Sequence, residues 1–281
     1  FPRKASSSKK FNRITNGVYE LGSVFKIFTN AIVFEEDLIK ENELFDVSKP
    51  IEYGKFTISD DHHVKNKMNL EEIFIYSSNV GTVKIAERIG IEKQKEFLKK
   101  IGLTRKIKAD FDGLAKPIYP KRWREINLYT IAYGHGIAVT PLHIASSVSA
   151  MVNGGNLLNP TFIKKEKALI KNKVISINTS QKIRDLMRKA VNKGTGGKAN
   201  IEGYEVAGKT GTAEKAELGS YNEKKTIASF VAIFPASNPR FLVYILFDKP
   251  DSQFNTGGMI AAPVTGSIIE NIAPILGISP R

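Results

Sequence analysis

The sequence predicts an α+β domain in which helices pack on an antiparallel sheet. Three observations carry that prediction. Apolar residues recur at helical spacing through much of residues 23–192. Three β-rich segments follow late in the chain, at 204–215, 226–234 and Phe241–Asp248. A last apolar helical period covers 261–276. The short turn at 235–239 joins the second and third β-rich segments directly, which is the pattern of an antiparallel meander.

Taken in order, residues 1–18 are polar and basic and read as an irregular approach. A helix is expected over 23–40. Val24, Phe25, Ile27, Phe28, Ala31, Ile32 and Val33 make it apolar on nearly every side, as in a helix buried at a domain centre. Residues 46–69 combine Pro50 and Gly54 with short β-like pieces at Ile51–Tyr53 and Phe56–Ile58, a surface excursion. Asn69 and Glu72 have the spacing of a capping box for a short helix over 70–76. A helix over 80–89 is stopped by Gly90, and one over 92–100 by Gly102. The stretch 104–138, punctuated by Asp112-Gly113, Pro117, Pro120, Gly134 and Gly136, reads as turns.

Thr140-Pro141 opens a helix to Val152, with proline at its first helical position. Strand-like pieces fill 156–177, and Thr179 or Ser180 opens a helix to Asn192. A glycine-rich loop follows, Gly194-Thr195-Gly196-Gly197. The mostly helical part is therefore 41–200, and 201–281 holds the sheet and closing helix. No internal repeat is present.

With 281 residues, 42% hydrophobic and 25% charged, the chain can bury a substantial core, and wholesale disorder is excluded. The absence of cysteine excludes disulfides, thiol nucleophiles and cysteine metal sites. The four histidines, His62, His63, His135 and His143, lack metal-ligand spacing. The net charge of +14 raises the question of an anionic partner. Lysines outnumber arginines 32 to 10 and are spread along the chain, without arginine clusters and interleaved aromatics. The reading is a generally basic surface and no nucleic acid. No stretch reaches the roughly 18–20 apolar residues that span a bilayer. The chain begins at Phe1 without a signal-peptide pattern and reads as a segment of a longer protein, its anchor upstream.

Three short motifs carry chemistry. Ser23 and Lys26 are three apart, one helical turn on the same face. A lysine held in that apolar setting is a candidate for a depressed pKa and a role as a base. Spacing alone is not specific, since Ser6/Lys9 and Ser7/Lys10 repeat it in a polar stretch where it means a solvated turn. Ser77-Ser78-Asn79 lies in a break between helices, where side chains can project into a cleft, although Ser-x-Asn also begins at Ser176 and Ser220. Lys209-Thr210-Gly211 occurs once, and Gly208 and Gly211 would let a ligand approach the strand backbone closely. Gly203, Gly208, Lys209 and Thr210 also have the spacing of a phosphate-binding loop. Tyr204, Val206 and Ala207 read as strand, however, and no helix follows Thr210. That alternative is set aside.

In this order, the three motifs are signatures of serine β-lactamases and penicillin-binding proteins. The longer strings extend the match: Tyr-Glu-Leu-Gly-Ser-Val-Phe-Lys from Tyr19, Ser-Ser-Asn-Val-Gly from Ser77 and Gly-His-Gly-Ile-Ala-Val-Thr-Pro from Gly134. Further on come Val-Ala-Gly-Lys-Thr-Gly-Thr-Ala-Glu-Lys from Val206, Phe-Pro-Ala-Ser-Asn-Pro-Arg from Phe234 and Ala-Ala-Pro-Val-Thr-Gly from Ala261. Over about residues 19–276 the chain resembles the transpeptidase domain of class B penicillin-binding proteins, particularly the cell-division type that cross-links septal peptidoglycan.

The resemblance implies a penicillin-binding protein/serine β-lactamase-like fold, with an all-helical subdomain beside the sheet, and one transpeptidase domain over 1–281. Ser23 would be the nucleophile on the D-Ala–D-Ala peptide carbonyl of a stem peptide, and Lys26 the base that takes its proton. Ser77 would relay that proton to the leaving amine, and Asn79 would hold the acyl-chain amide or Lys26. Lys209 would keep the pocket positive, with Thr210, Gly211 and Thr212 binding the terminal carboxylate. Backbone N–H groups of Ser23 and Thr212 would form the oxyanion hole.

The resemblance further implies no cofactor and no metal, covalent capture by β-lactam antibiotics, and divisome partners that include a glycosyltransferase. The implied location is the periplasmic face of the bacterial inner membrane, reached through an upstream anchor helix.

Two departures stand out. The family's sheet includes strands from before the Ser-x-x-Lys helix, and only 22 residues precede Ser23, so a sheet short of its N-terminal strands is expected. His135 stands where glutamine is expected. Competing activities are a serine β-lactamase, a D,D-carboxypeptidase, and a non-catalytic β-lactam sensor or divisome scaffold. No Glu-x-x-x-Asn deacylation segment lies between the Ser77 and Lys209 motifs.

Overall fold

The run that is apolar on every side becomes the central post of the computed structural model. Val24, Phe25, Ile27, Phe28, Ala31, Ile32 and Val33 are all buried. Burying each large side chain contributes roughly 1.5–3 kcal/mol, which holds the post firmly. Residues 11–54, 56–62, 64–165, 172–217, 220–251 and 254–280 are described by the structure. The Ser6/Lys9 and Ser7/Lys10 pairs and His63 lie outside them.

The post is shorter than the expected helix over 23–40, and it begins differently. A 3-10 turn, Gly22–Phe25, carries Ser23, and helix α1 is Lys26–Glu36. In a 3-10 turn, residues three apart eclipse, so Ser23 and Lys26 share a face more closely than an α-helix would allow. The helix stops because Asp37 adopts a left-handed conformation, φ +49°, and Leu38 N–H returns to Val33 O at 3.2 Å.

Around the post run small ladders and helices. β1 (Phe45–Asp46) pairs with β4 (Lys67–Met68), and β2 (Ile51–Tyr53) pairs with β3 (Phe56–Ile58), the expected surface excursion. Then come α2 (Leu70–Ile75), α3 (Asn79–Ile89) and α4 (Ile91–Lys100). The Asn69/Glu72 capping box forms on α2 as expected. The turn-rich reading of 104–138 is corrected by α5 (Glu125–Ala132), whose Leu128, Tyr129, Ile131 and Ala132 are buried. α6 (Pro141–Val152) starts as expected at its Thr140 cap. β5 (Asn156–Leu157) and β6 (Asn172–Lys173) make a two-residue ladder. α7 (Ile177–Lys193) begins two residues earlier than expected, because Ser176 Oγ caps it by accepting from Thr179 N–H at 3.0 Å.

The meander forms as β7 (Ala207–Glu217), β8 (Ser220–Phe234) and β9 (Phe241–Asp248), antiparallel in that order, with a bulge at Glu214/Lys215. α8 (Ala262–Ile272) closes the chain. Ile227, Val231 and Ile233 of β8 face the cluster built around α1, whereas Phe230, Ala232 and Phe234 face the cluster that includes Ile269 of α8. Both faces of the sheet are covered, so its strands read as continuous apolar runs rather than alternating ones. Among the described residues β9 pairs only with β8, so its outer edge is open there.

Candidate active site

Three segments meet at the start of the post: the turn carrying Ser23, the break between α2 and α3, and the middle of β7. Backbone packing, made possible by glycine, holds them together. A Cβ on Gly22, which has φ +55°, would lie 2.0 Å from Thr212 O. One on Gly134, φ +91°, would lie 2.0 Å from Gly22 O. Gly22 N–H in turn donates to Gly134 O at 3.2 Å, and Gly136 N–H to Glu20 Oε1 at 3.0 Å. Ser23 is thus wedged between the 134–136 loop and the strand bearing Thr212. Its side chain is half-buried, and its hydroxyl makes no hydrogen bond among the described residues.

Lys26 is fully buried, yet its ammonium is surrounded by acceptors. Nζ donates to Ser77 O, to Ser77 Oγ at 3.2 Å and to Asn79 Oδ1 at 2.8 Å. Ser77 presents its carbonyl and hydroxyl together because it adopts a left-handed φ of +62°, unusual for a residue with a side chain. Burial pushes the Lys26 pKa down to about 7, against the opposing pull of Asp60 and then Asp61. Near neutral pH this lysine is therefore balanced between ammonium and free amine. Deprotonation leaves two N–H donors and a lone pair, the form a base needs.

Lys209 approaches Ser77 from the other side. Its Nζ donates to Ser77 Oγ at 2.9 Å and to Thr210 Oγ1 at 3.3 Å, and it sits 5.6 Å from the Phe74 ring centroid. Burial, and then the nearby Lys26 charge, hold it well below the usual lysine range. One serine oxygen thus lies between two lysines. Thr210 Oγ1 contacts Thr195 Oγ1 at 2.8 Å, and Thr212 Oγ1 accepts from Gly257 N–H at 3.1 Å, keeping its own proton available to donate. β7 runs on through Gly211 and Thr212 as strand, without the helix a phosphate loop requires.

All of Ser23, Lys26, Ser77, Asn79, Lys209, Thr210, Gly211 and Thr212 fall in this one place. Two groups had no motif to announce them. Asp60 accepts from the residues that follow Ser77, and Thr195 carries the glycine-rich loop to Thr210. His135 packs at a tilt against Tyr133, ring centroids 5.2 Å apart, and burial and then Lys26 push its pKa down to about 4, so it is neutral. His143 lies away from the site, in the α6 cap, its Nδ1 2.7 Å from Thr140 Oγ1.

A half-buried hydroxyl, a buried lysine one turn away, a bridging serine and a second buried lysine flanked by hydroxyls are the parts that acyl transfer calls for. Comparison with known proteins agrees. The model of the penicillin binding protein transpeptidase domain matches residues 2–270. The probable peptidoglycan D,D-transpeptidase FtsI of Caulobacter vibrioides is 37% identical over 99% of this chain and 50% of its own length. Stage V sporulation protein D of Bacillus subtilis is 36% identical over 94% of this chain and 43% of its own. The chain thus spans about half the length of these curated relatives.

Among solved structures, the apo transpeptidase domain of penicillin-binding protein 3 from Burkholderia pseudomallei superposes with a TM-score of 0.90. It is 30% identical, and the match covers 96% of this chain and 83% of that one. Penicillin-binding protein 3 of Mycobacterium tuberculosis, complexed with aztreonam, superposes at 0.85 with 27% identity, over 96% of this chain and 65% of that one. The motifs, their convergence on one buried lysine and these likenesses lead to one conclusion: the chain belongs to the penicillin-binding-protein transpeptidase domain family.

Proposed function

We propose that this chain is the catalytic domain of a peptidoglycan D,D-transpeptidase that cross-links septal cell wall, and that β-lactam antibiotics acylate it. The whole of 1–281 acts as one unit, with the helical part, 41–200, and the sheet part, 201–281, each supplying one wall of the cleft. The observation that carries this reading is Lys26, poised near neutrality among Ser77 O, Ser77 Oγ and Asn79 Oδ1.

As the free amine, Lys26 takes the Ser23 proton as Oγ attacks the D-Ala–D-Ala peptide carbonyl. The oxyanion develops against the backbone N–H groups of Ser23 and Thr212, where one such donor is worth about 10²–10³ in rate. Ser77 hands the proton to the departing D-alanine amine, and the amino group of a second stem peptide resolves the acyl-enzyme. Lys209 and the Thr210 and Thr212 hydroxyls hold the terminal carboxylate. Among the described residues no helix is long and apolar enough to cross a membrane. On this reading the full protein is anchored by a helix upstream, faces the periplasm at the bacterial inner membrane, and works with division proteins that include a glycosyltransferase.

The test is a labelled penicillin followed by intact mass. A long-lived adduct is expected on Ser23 and is absent from Ser23→Ala. No adduct on folded protein refutes the reading, and rapid turnover of the drug makes the chain a β-lactamase instead.

A further inference from the structure

The segment just after β3 touches the site from behind. Ser78 Oγ–H donates to Asp60 Oδ2 at 2.7 Å, while Asn79 and Val80 N–H both donate to Asp60 Oδ1, at 2.5 and 2.9 Å. One carboxylate therefore satisfies two of the orphan N–H groups that open α3 and also fixes the Ser78 side chain. The neighbouring Ser59 carbonyl accepts from Asn79 Nδ2 at 3.2 Å. That bond decides which way the Asn79 amide faces: its nitrogen is turned to Ser59, so its oxygen is the atom presented to Lys26.

We propose that Asp60 is a positioning residue for the acylation step, clamping the 77–79 turn so that its three acceptors stay on Lys26 and countering the Lys26 charge from behind. The proposal rests on the reading of Lys26 as the base. Lys26 is faced by four other titratable groups: Asp60 and Asp61 favour its ammonium form, whereas Lys209 and the neutral His135 each have their pKa pushed down by its charge. Only Asp60 combines the charge with direct hydrogen bonds to the turn. Asp61, by contrast, is exposed.

The two roles separate by substitution. Asp60→Asn keeps the shape and an oxygen for the Asn79 and Val80 N–H groups but removes the charge. Asp60→Ala removes both. Acylation by a fluorescent penicillin is measured from pH 5.5 to 9 on wild type, both variants and Asp60→Glu, with thermal melting as the folding control. In wild type the rate rises through about pH 7. Losing the carboxylate lowers the Lys26 pKa further, so in Asp60→Asn the rising limb moves down by about one pH unit. In Asp60→Ala the plateau also falls by about 30-fold, because the acceptors drift from Lys26. Asp60→Glu restores the position of the limb. A merely structural role would lower the plateau and leave the limb in place. An unmoved limb in folded Asp60→Asn overturns the proposal while the reading of the site stands. Wild-type protein that takes no label overturns that reading, and the role of Asp60 falls with it.

Discussion

Two regions of this molecule gather positive charge, and they do so in opposite ways. At the start of the central helix, Lys26 and Lys209 are both fully buried, share one serine hydroxyl and have carbonyl, amide and hydroxyl oxygens as partners. Across the helical part, Arg105, Lys106 and Lys108 stand exposed along a cleft shared with His143, Ser146 and Asn159. The hydroxyls of that cleft are occupied internally, Ser146 donating to Leu158 O and Ser147 to Ile101 O. Water already serves the exposed cations. The buried pair has lost its water, and that desolvation holds both lysines below their usual range. Charge count says little about function; the solvent a charge has lost says more.

The comparison is broken most forcefully by Lys26→Arg, which keeps the positive charge but cannot release its proton. Acylation by penicillin is expected to fall by about 10³-fold, within the range of general-base losses. If arginine serves as well as lysine, desolvated charge alone is the working principle and the base is elsewhere. Lys209→Met removes the second buried cation and should slow acylation by about 10²-fold, chiefly through weaker binding of the carboxylate-bearing ligand, visible as saturation at higher concentrations.

Next in size is Gly134→Ala. Its Cβ would collide with Gly22 O at 2.0 Å in a left-handed conformation, and the fold should lose about 2–4 kcal/mol on thermal or chemical unfolding.

The pH dependence sharpens the contrast further. Folding depresses the Lys26 pKa to about 7, so above that value the folded protein holds fewer protons than the unfolded chain. Stability should therefore rise as pH climbs from about 7 toward about 10, the unfolded lysine value, and a melting curve series against Lys26→Met isolates the effect. Smallest of all, Lys108→Ala should change stability by less than about 0.5 kcal/mol and leave acylation untouched.

Much of this was legible in the sequence, for identifiable reasons. Ser23, Lys26, Ser77, Asn79 and Lys209 could be singled out because each sits in a short local motif and the motifs, in that order, resemble those of one family; the fold then brings them to one place. The meander could be found because β-branched and aromatic runs survive in any context. Asp60 could not. It is one carboxylate in a polar loop, and its meaning exists only once the chain folds it against the first turn of α3. α5 escaped for another reason: its eight residues are hemmed in by Pro120 and Gly134, and breakers at both ends read as a loop when the element between is so short. The 3-10 start of the post and its stop at Glu36 depend on Gly22 and Asp37 taking positive φ, which composition does not announce.

The serine between the two lysines has a consequence for timing. Ser77 Oγ lies within 3.2 Å of one ammonium and 2.9 Å of the other, and two full charges on one oxygen repel. In the free site they compete, and the Lys26 charge adds to burial in pushing the Lys209 pKa down. On the proposed reading, a ligand that brings a carboxylate to Lys209 ends the competition: the proton settles there, and the fixed charge drives Lys26 toward its free amine. The nucleophile's base is then armed by the arrival of the substrate rather than kept permanently ready. Such a latch spends its idle time quiet toward water and toward molecules that lack the right acid.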